Sequence, residues 1–82
     1  MKLKPNLAYR KIDFKTYIVD MPNSMLHSIN ETGSEIIDLL NKNYDIDTIA
    51  KKISKKHNVD ENVVRQDVEE FILLLKEKDI LE

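Results

Sequence analysis

Residues 25–40 read MLHSINETGSEIIDLL, and the rest of the chain is organised around this stretch. It combines the end of a strand, a helix cap and an amphipathic helix, with nothing between them. Asn30 or Thr32 can cap the helix, and Thr32 with Glu35 also fits a capping box. Ile36, Leu39 and Leu40 follow at i, i+3 and i+4, which makes one apolar helix face. A strand that runs straight into a helix fixes the angle between a small sheet and its cover. Upstream of residue 25 the pattern is that of sheet, and downstream of residue 41 that of helix.

Working back towards the N-terminus, residues 7–14, LAYRKIDF, mix aromatic and β-branched residues with charges, as a half-exposed strand does. Asp13-Phe14-Lys15 turns the chain into Thr16-Tyr17-Ile18-Val19-Asp20, the run of highest β propensity. Met21-Pro22-Asn23-Ser24 is turn chemistry, since Pro fixes φ while Asn and Ser hydrogen-bond their own backbone. Strands are therefore predicted at about 7–13, 16–20 and 25–29, in an antiparallel meander favoured by the short connections. In the third strand Met25, His27 and Ile29 share one face, and Leu26 and Ser28 the other. Ile29 is expected in the core; Leu26 is left unassigned.

Working forward, helices are predicted at about 31–41, 46–57 and 61–78. Asp45 caps the second, whose apolar side is Ile46, Ile49, Ala50 and Ile53, and His57-Asn58 ends it. Asp60 caps the third. On a helical wheel Val64, Val68, Phe71 and Leu75 form its core stripe, with Ile72 at the edge. Val63 and Leu74 lie together on a flank beside Asp67 and Glu70, and Leu73 points away. More of this helix is apolar than one core contact requires. Either it is sandwiched between sheet and helices, or the flank lines a groove for a partner. Gly33 falls in the first turn of the first helix, where its entropic cost is small.

At 82 residues the chain is expected to form one domain, residues 1–82, with no cysteine for disulfides, thiolate metal sites or thiol nucleophiles. No run approaches the length of a membrane span, and the start, MKLKPNLAYRK, has no apolar signal core, so a cytoplasmic location is expected. Residues 1–29 carry five basic and two acidic residues, and the remainder eight and thirteen. His27 and His57 lie on different elements and make no metal-ligand pattern. His27 is expected to be a strand residue bonded locally, and His57 a C-terminal residue favoured by its helix dipole. No phosphate loop, metalloprotease or nucleophile-elbow motif occurs. No catalytic residue, metal or cofactor is predicted.

A small sheet with three helices also describes a DNA-binding winged helix, the alternative reading. Its recognition helix would be the third, which carries Glu61, Asp67, Glu69, Glu70 and Glu77 against Arg65, Lys76 and Lys78. Phosphates would repel that helix, so nucleic acid is not the expected partner.

The order of these elements, with Leu26 to Gly33 leading into Glu35-Ile36-Ile37-Asp38-Leu39-Leu40, then Asp47-Thr48-Ile49-Ala50, then Asp67 to Leu75 before Asp79-Ile80-Leu81, resembles the PqqD family. Nearly the whole chain takes part. The chain departs from that pattern at Ile37, where a bulkier residue is common, and at Asn41-Lys42-Asn43-Tyr44, where a glycine turn is common. The resemblance implies an α+β, winged-helix-like fold, an N-terminal three-stranded antiparallel sheet followed by three α-helices. It also implies a recognition element for ribosomally made, post-translationally modified peptides. The leader segment of the precursor would add as a fourth antiparallel strand on the third strand, Met25, Leu26, His27, Ser28 and Ile29. Its side chains would pack against Val63, Asp67, Glu70 and Leu74. Asp67 would either contact the leader or make a structural hydrogen bond. The chain ends at Glu82 without a fused domain, so a separate modifying or leader-processing enzyme is the expected second partner. Pairing of exposed sheet edges into a homodimer stays open.

Overall fold

Three strands precede three helices in the computed structural model of the chain, which describes residues 2–5, 7–22 and 24–82. Strands β1 (Ala8–Ile12), β2 (Lys15–Asp20) and β3 (Met25–Ile29) form one antiparallel sheet in the order β1-β2-β3. Helices α1 (Glu31–Asn41), α2 (Ile46–His57) and α3 (Glu61–Glu77) follow. This is the α+β arrangement expected from the sequence. Asp13 and Ser24 take the left-handed conformation in the two strand connections, at φ 56° and 53°. Short polar side chains tolerate that region best after glycine. Asn23, part of the second expected turn, lies outside the described residues.

The register of β2 with β3 settles which way β3 points. Thr16 pairs with Ile29, Ile18 with His27 and Asp20 with Met25. Directly opposed residues share a face, and Thr16, Ile18 and Asp20 are all buried. Met25, His27 and Ile29 therefore face the helices, and Ile29 packs on the core while staying half-buried. Leu26 projects from the outer face, 67% exposed. All five residues of β1 are exposed, more than the half-exposed strand predicted.

Asn30, not Thr32, caps α1: its Oδ1 accepts the Gly33 N–H at 2.9 Å. Thr32 is already inside the helix, so the capping box with Glu35 does not form. Behind the cap, Thr16 Oγ1 and the buried Ser34 Oγ lie 2.8 Å apart, which ties β2 to the first turn of α1. Asp45 and Asp60 cap α2 and α3 through the Thr48 and Asn62 N–H groups, each at 2.8 Å. Asn58 closes α2 in the left-handed conformation, φ 55°.

The core runs from Ile18 through Ile37, Leu40 and Ile49 to the inner stripe of α3. That stripe is Val64, Val68, Ile72 and Leu75, so the expected places of Phe71 and Ile72 are exchanged. Ile72 is buried, while Phe71 is half-buried with its ring over α1. Both ends of the chain close the same core. Leu3 bridges Leu81 in antiparallel fashion, the Lys4 N–H donates to the Ile80 carbonyl at 2.9 Å, and Ile80 and Leu81 are buried. Among the described residues no helix is long and apolar enough to cross a membrane.

Candidate peptide-binding groove

Two features of the sheet and α3 meet at Gly33. A Cβ placed on Gly33 would lie 2.6 Å from Ile29 Cγ2 and 2.9 Å from Phe71 Cζ. The end of β3 and the middle of α3 thus converge over the first turn of α1, and only a residue without a side chain fits between them. Glycine is needed here for space and not for its backbone freedom, since its φ is not positive.

Phe71 also fixes the orientation of α3. At 100° per residue it lies between the buried stripe and a flank of about 60° that holds Val63, Asp67, Glu70 and Leu74. Phe71, at the boundary of that flank, and Ile29 both approach Gly33, which brings the end of β3 near this part of α3. Val63 is 51% exposed and Leu74 44% exposed, so α3 is not sandwiched on this side. Leu73 points elsewhere, also exposed. Two exposed features lie near Ile29 and Phe71: the flank of α3 and the edge of β3 that no other described strand pairs.

The sequence-predicted residues fall into four sets within this geometry. Met25, His27 and Ile29 direct side chains to the helix side of β3, whereas Leu26 and Ser28 reach the groove only through backbone. Val63 and Leu74 supply apolar surface to the α3 flank. Asp67 and Glu70 are exposed carboxylates on the same flank. β3 itself has no charged residue, so Asp67 and Glu70 are the charged members of the predicted set. Arg65, the basic residue nearest them in sequence, is held by Asp47 of α2.

Near Asp67 lies a cavity of about 260 Å³, lined by Thr32, Ile36, Ile53, His57, Val59, Val64 and Val68 as well as Asp67. Sequence reading missed this cavity and the part played by Phe71. The available signal was Gly33, the one glycine of the chain, which was read for its cost and not for what it admits.

One side of the cavity is held by an ionic contact between α1 and α2. His57 Nε2 lies 2.9 Å from Glu35 Oε2, and Lys56 Nζ lies 3.2 Å from Oε1. Burial raises the Glu35 carboxyl, but hydrogen bonds and charge from His57 and Lys56 outweigh it, so its pKa falls below the ordinary 4.5. His57 thus does more than end its helix. The expectation of a local bond for His27 is not met: its Nε2 is buried and has no hydrogen-bonding partner among the described residues. It faces Ile18 across the sheet, and an isoleucine offers no partner. Among the described residues no three His, Cys, Asp or Glu side chains converge to hold a metal.

The family profile of coenzyme PQQ synthesis protein D (PqqD) matches residues 15–81. No curated protein matches the chain by sequence. Two solved structures share the fold closely. TbiB1, in complex with the TbiA(beta) leader peptide, superposes with a TM-score of 0.94 at 24% identity, covering 100% of this chain and 95% of that one. A lasso peptide synthetase B1 complexed with the leader peptide superposes with a TM-score of 0.93 at 17% identity, covering 99% of this chain and 95% of that one.

Proposed function

The chain belongs to the PqqD family, and we propose that it is a recognition element for the leader segment of a ribosomally synthesised precursor peptide. The observation that carries this reading is the edge of β3, unpaired among the described residues and uncharged, with Val63 and Leu74 exposed on α3. An unpaired strand edge is a row of free donors and acceptors, which proteins normally cover, charge or twist away. Here an extended peptide completes the sheet as a fourth strand, antiparallel to β3. Its backbone bonds to the edge of Met25–Ile29, and alternate side chains enter the groove toward Val63, Asp67, Glu70 and Leu74. The two superposing proteins were each solved with a leader peptide bound, which supports this use of the fold.

The domain performs no chemistry in this mechanism. By holding the leader it raises the effective concentration of the attached core peptide at a separate modifying or leader-processing enzyme. Edge-to-edge pairing of β3 between two copies would compete for the same backbone groups, so the peptide-bound form is read as a monomer on that edge.

A fluorescence-polarisation titration against synthetic leaders of precursors encoded near the gene tests the reading. An unrelated peptide and duplex DNA serve as controls. Saturable binding to one leader, in the micromolar range or tighter, is the expected result. Retention of DNA alone, weakening steeply with salt, would replace it with the winged-helix alternative.

A further inference from the structure

We infer that His27 is a specificity residue that reads one polar side chain of the bound peptide, an inference that rests on the leader-binding reading above. His27 sits at the centre of β3, the edge strand, with its side chain on the helix-facing side of the sheet. Its neighbours on that face, Met25 and Ile29, are apolar, and so are Phe71 and Leu74 of α3. Among the helix-facing side chains of β3 it alone forms hydrogen bonds readily.

An imidazole carries one donor and one acceptor when neutral, and both require partners once buried. Nε2 is buried without one among the described residues. Such an atom is a cost that an aliphatic residue would remove, and the position opposite is aliphatic already, at Ile18. Buried orphans of this kind call for a physical reason, and an incoming ligand atom is one. An added strand puts the residue facing His27 on the same side of the sheet, with Cβ atoms about 5 Å apart. A hydroxyl or carboxamide reaches the ring from there once the ring turns to the new strand. Both groups donate and accept, so either satisfies whichever tautomer is present. A carboxylate in the peptide would meet Asp67 and Glu70 and is disfavoured. The peptide that fits therefore has Ser, Thr, Asn or Gln at one groove-facing position, with apolar residues two places before and after it.

The test is selection from a displayed library of randomised extended peptides on the wild-type domain and on His27→Leu and His27→Gln. Wild type should enrich a hydroxyl or amide residue flanked at ±2 by apolar ones. His27→Leu should shift that central position to aliphatic residues while leaving the ±2 positions unchanged. A polar-centred peptide should lose about tenfold or more in affinity for His27→Leu, equivalent to about 1.4 kcal/mol, and regain part of it with His27→Gln. Identical preferences for wild type and His27→Leu, with a higher melting temperature for the variant, would make His27 purely structural and overturn the inference. Enrichment of apolar residues alone by wild type would overturn it while leaving leader binding intact. Failure of wild type to enrich any peptide would remove the leader-binding reading, and this inference with it.

Discussion

The two edges of the sheet are built to opposite specifications. β1 places Arg10 and Lys11 in the middle of its edge, with Lys11 tied to Asp38 and Tyr9 Oη accepting from Asn41 Nδ2 at 2.9 Å. β3 has no charge at all, only Met25, Leu26, His27, Ser28 and Ile29, and Val63 and Leu74 are exposed on α3. Charge on an edge strand is a standard defence against unwanted pairing. On the proposed leader-binding reading, the edge left open is the one the peptide takes.

The largest effect in breaking this asymmetry is expected from Leu74→Asp. Leu74 is half-exposed and outside the core stripe, so the fold should survive and the helical circular dichroism should be unchanged. A charge in the apolar wall should weaken leader binding by about 1–3 kcal/mol, roughly five- to 150-fold. Unfolding of the variant would place Leu74 in the core instead and remove it from the groove.

Gly33→Ala acts on the same edge from beneath. The added methyl meets Ile29 Cγ2 and the Phe71 ring, and the short Ile29 branch has little room to yield. Overpacking should cost about 1–3 kcal/mol of stability, partly offset by about 1 kcal/mol from alanine's better helix propensity. Because both displaced side chains lie where β3 meets α3, beside the proposed leader site, leader affinity should fall more than the net stability does. Paired denaturation and binding titrations compare the two losses. Equal losses would show that Gly33 serves the fold alone.

These two positions also show what the sequence disclosed and what it withheld. The passage from β3 through a cap into α1 was legible because capping and periodicity are local. Local rules offered both Asn30 and Thr32 as the cap, and strand geometry decided between them: the turn from β3 into α1 leaves only Asn30 ahead of the first helical N–H groups. The flank was visible as surplus apolar surface at Val63 and Leu74, with Asp67 and Glu70 beside them, but a wheel has no neighbours on it and favoured a sandwiched helix over a groove. The exchange of Phe71 with Ile72 has the same origin. A ring at the edge of the stripe can lean over a glycine in another helix, and only the packed structure shows where that glycine lies. The closure of the two termini through Leu3 and Leu81 depends on residues at opposite ends of the chain, for which no local signal exists.

Glu35→Gln should affect stability more than binding, since Glu35 joins α1 to α2 away from both sheet edges. A carboxyl with a lowered folded pKa stabilises the fold above its ordinary 4.5, and that contribution is lost as pH falls through the folded value. Near neutral pH the variant should lose on the order of 1 kcal/mol, with its carboxamide keeping one weaker bond to α2. As pH falls from 4.5 through the lowered folded pKa, the melting temperatures of variant and wild type should converge. A constant gap across the whole range would mean that the ionised carboxylate contributes nothing and the loss is one of packing.

The smallest effect on leader binding is expected from removing the guard on β1, by Arg10→Thr with Lys11→Thr. Neither side chain faces the groove, and the paired Lys11–Asp38 contact is a surface ion pair of at most about 1 kcal/mol. Leader affinity should therefore be unchanged, and the melting temperature nearly so. What should change is self-association: with both edges uncharged, light scattering should show concentration-dependent growth that wild type lacks. Added leader should not suppress that growth, because it covers β3 and leaves β1 free. Suppression by leader would mean that β3 was the associating edge, and that the difference in charge between the edges does not decide which of them pairs.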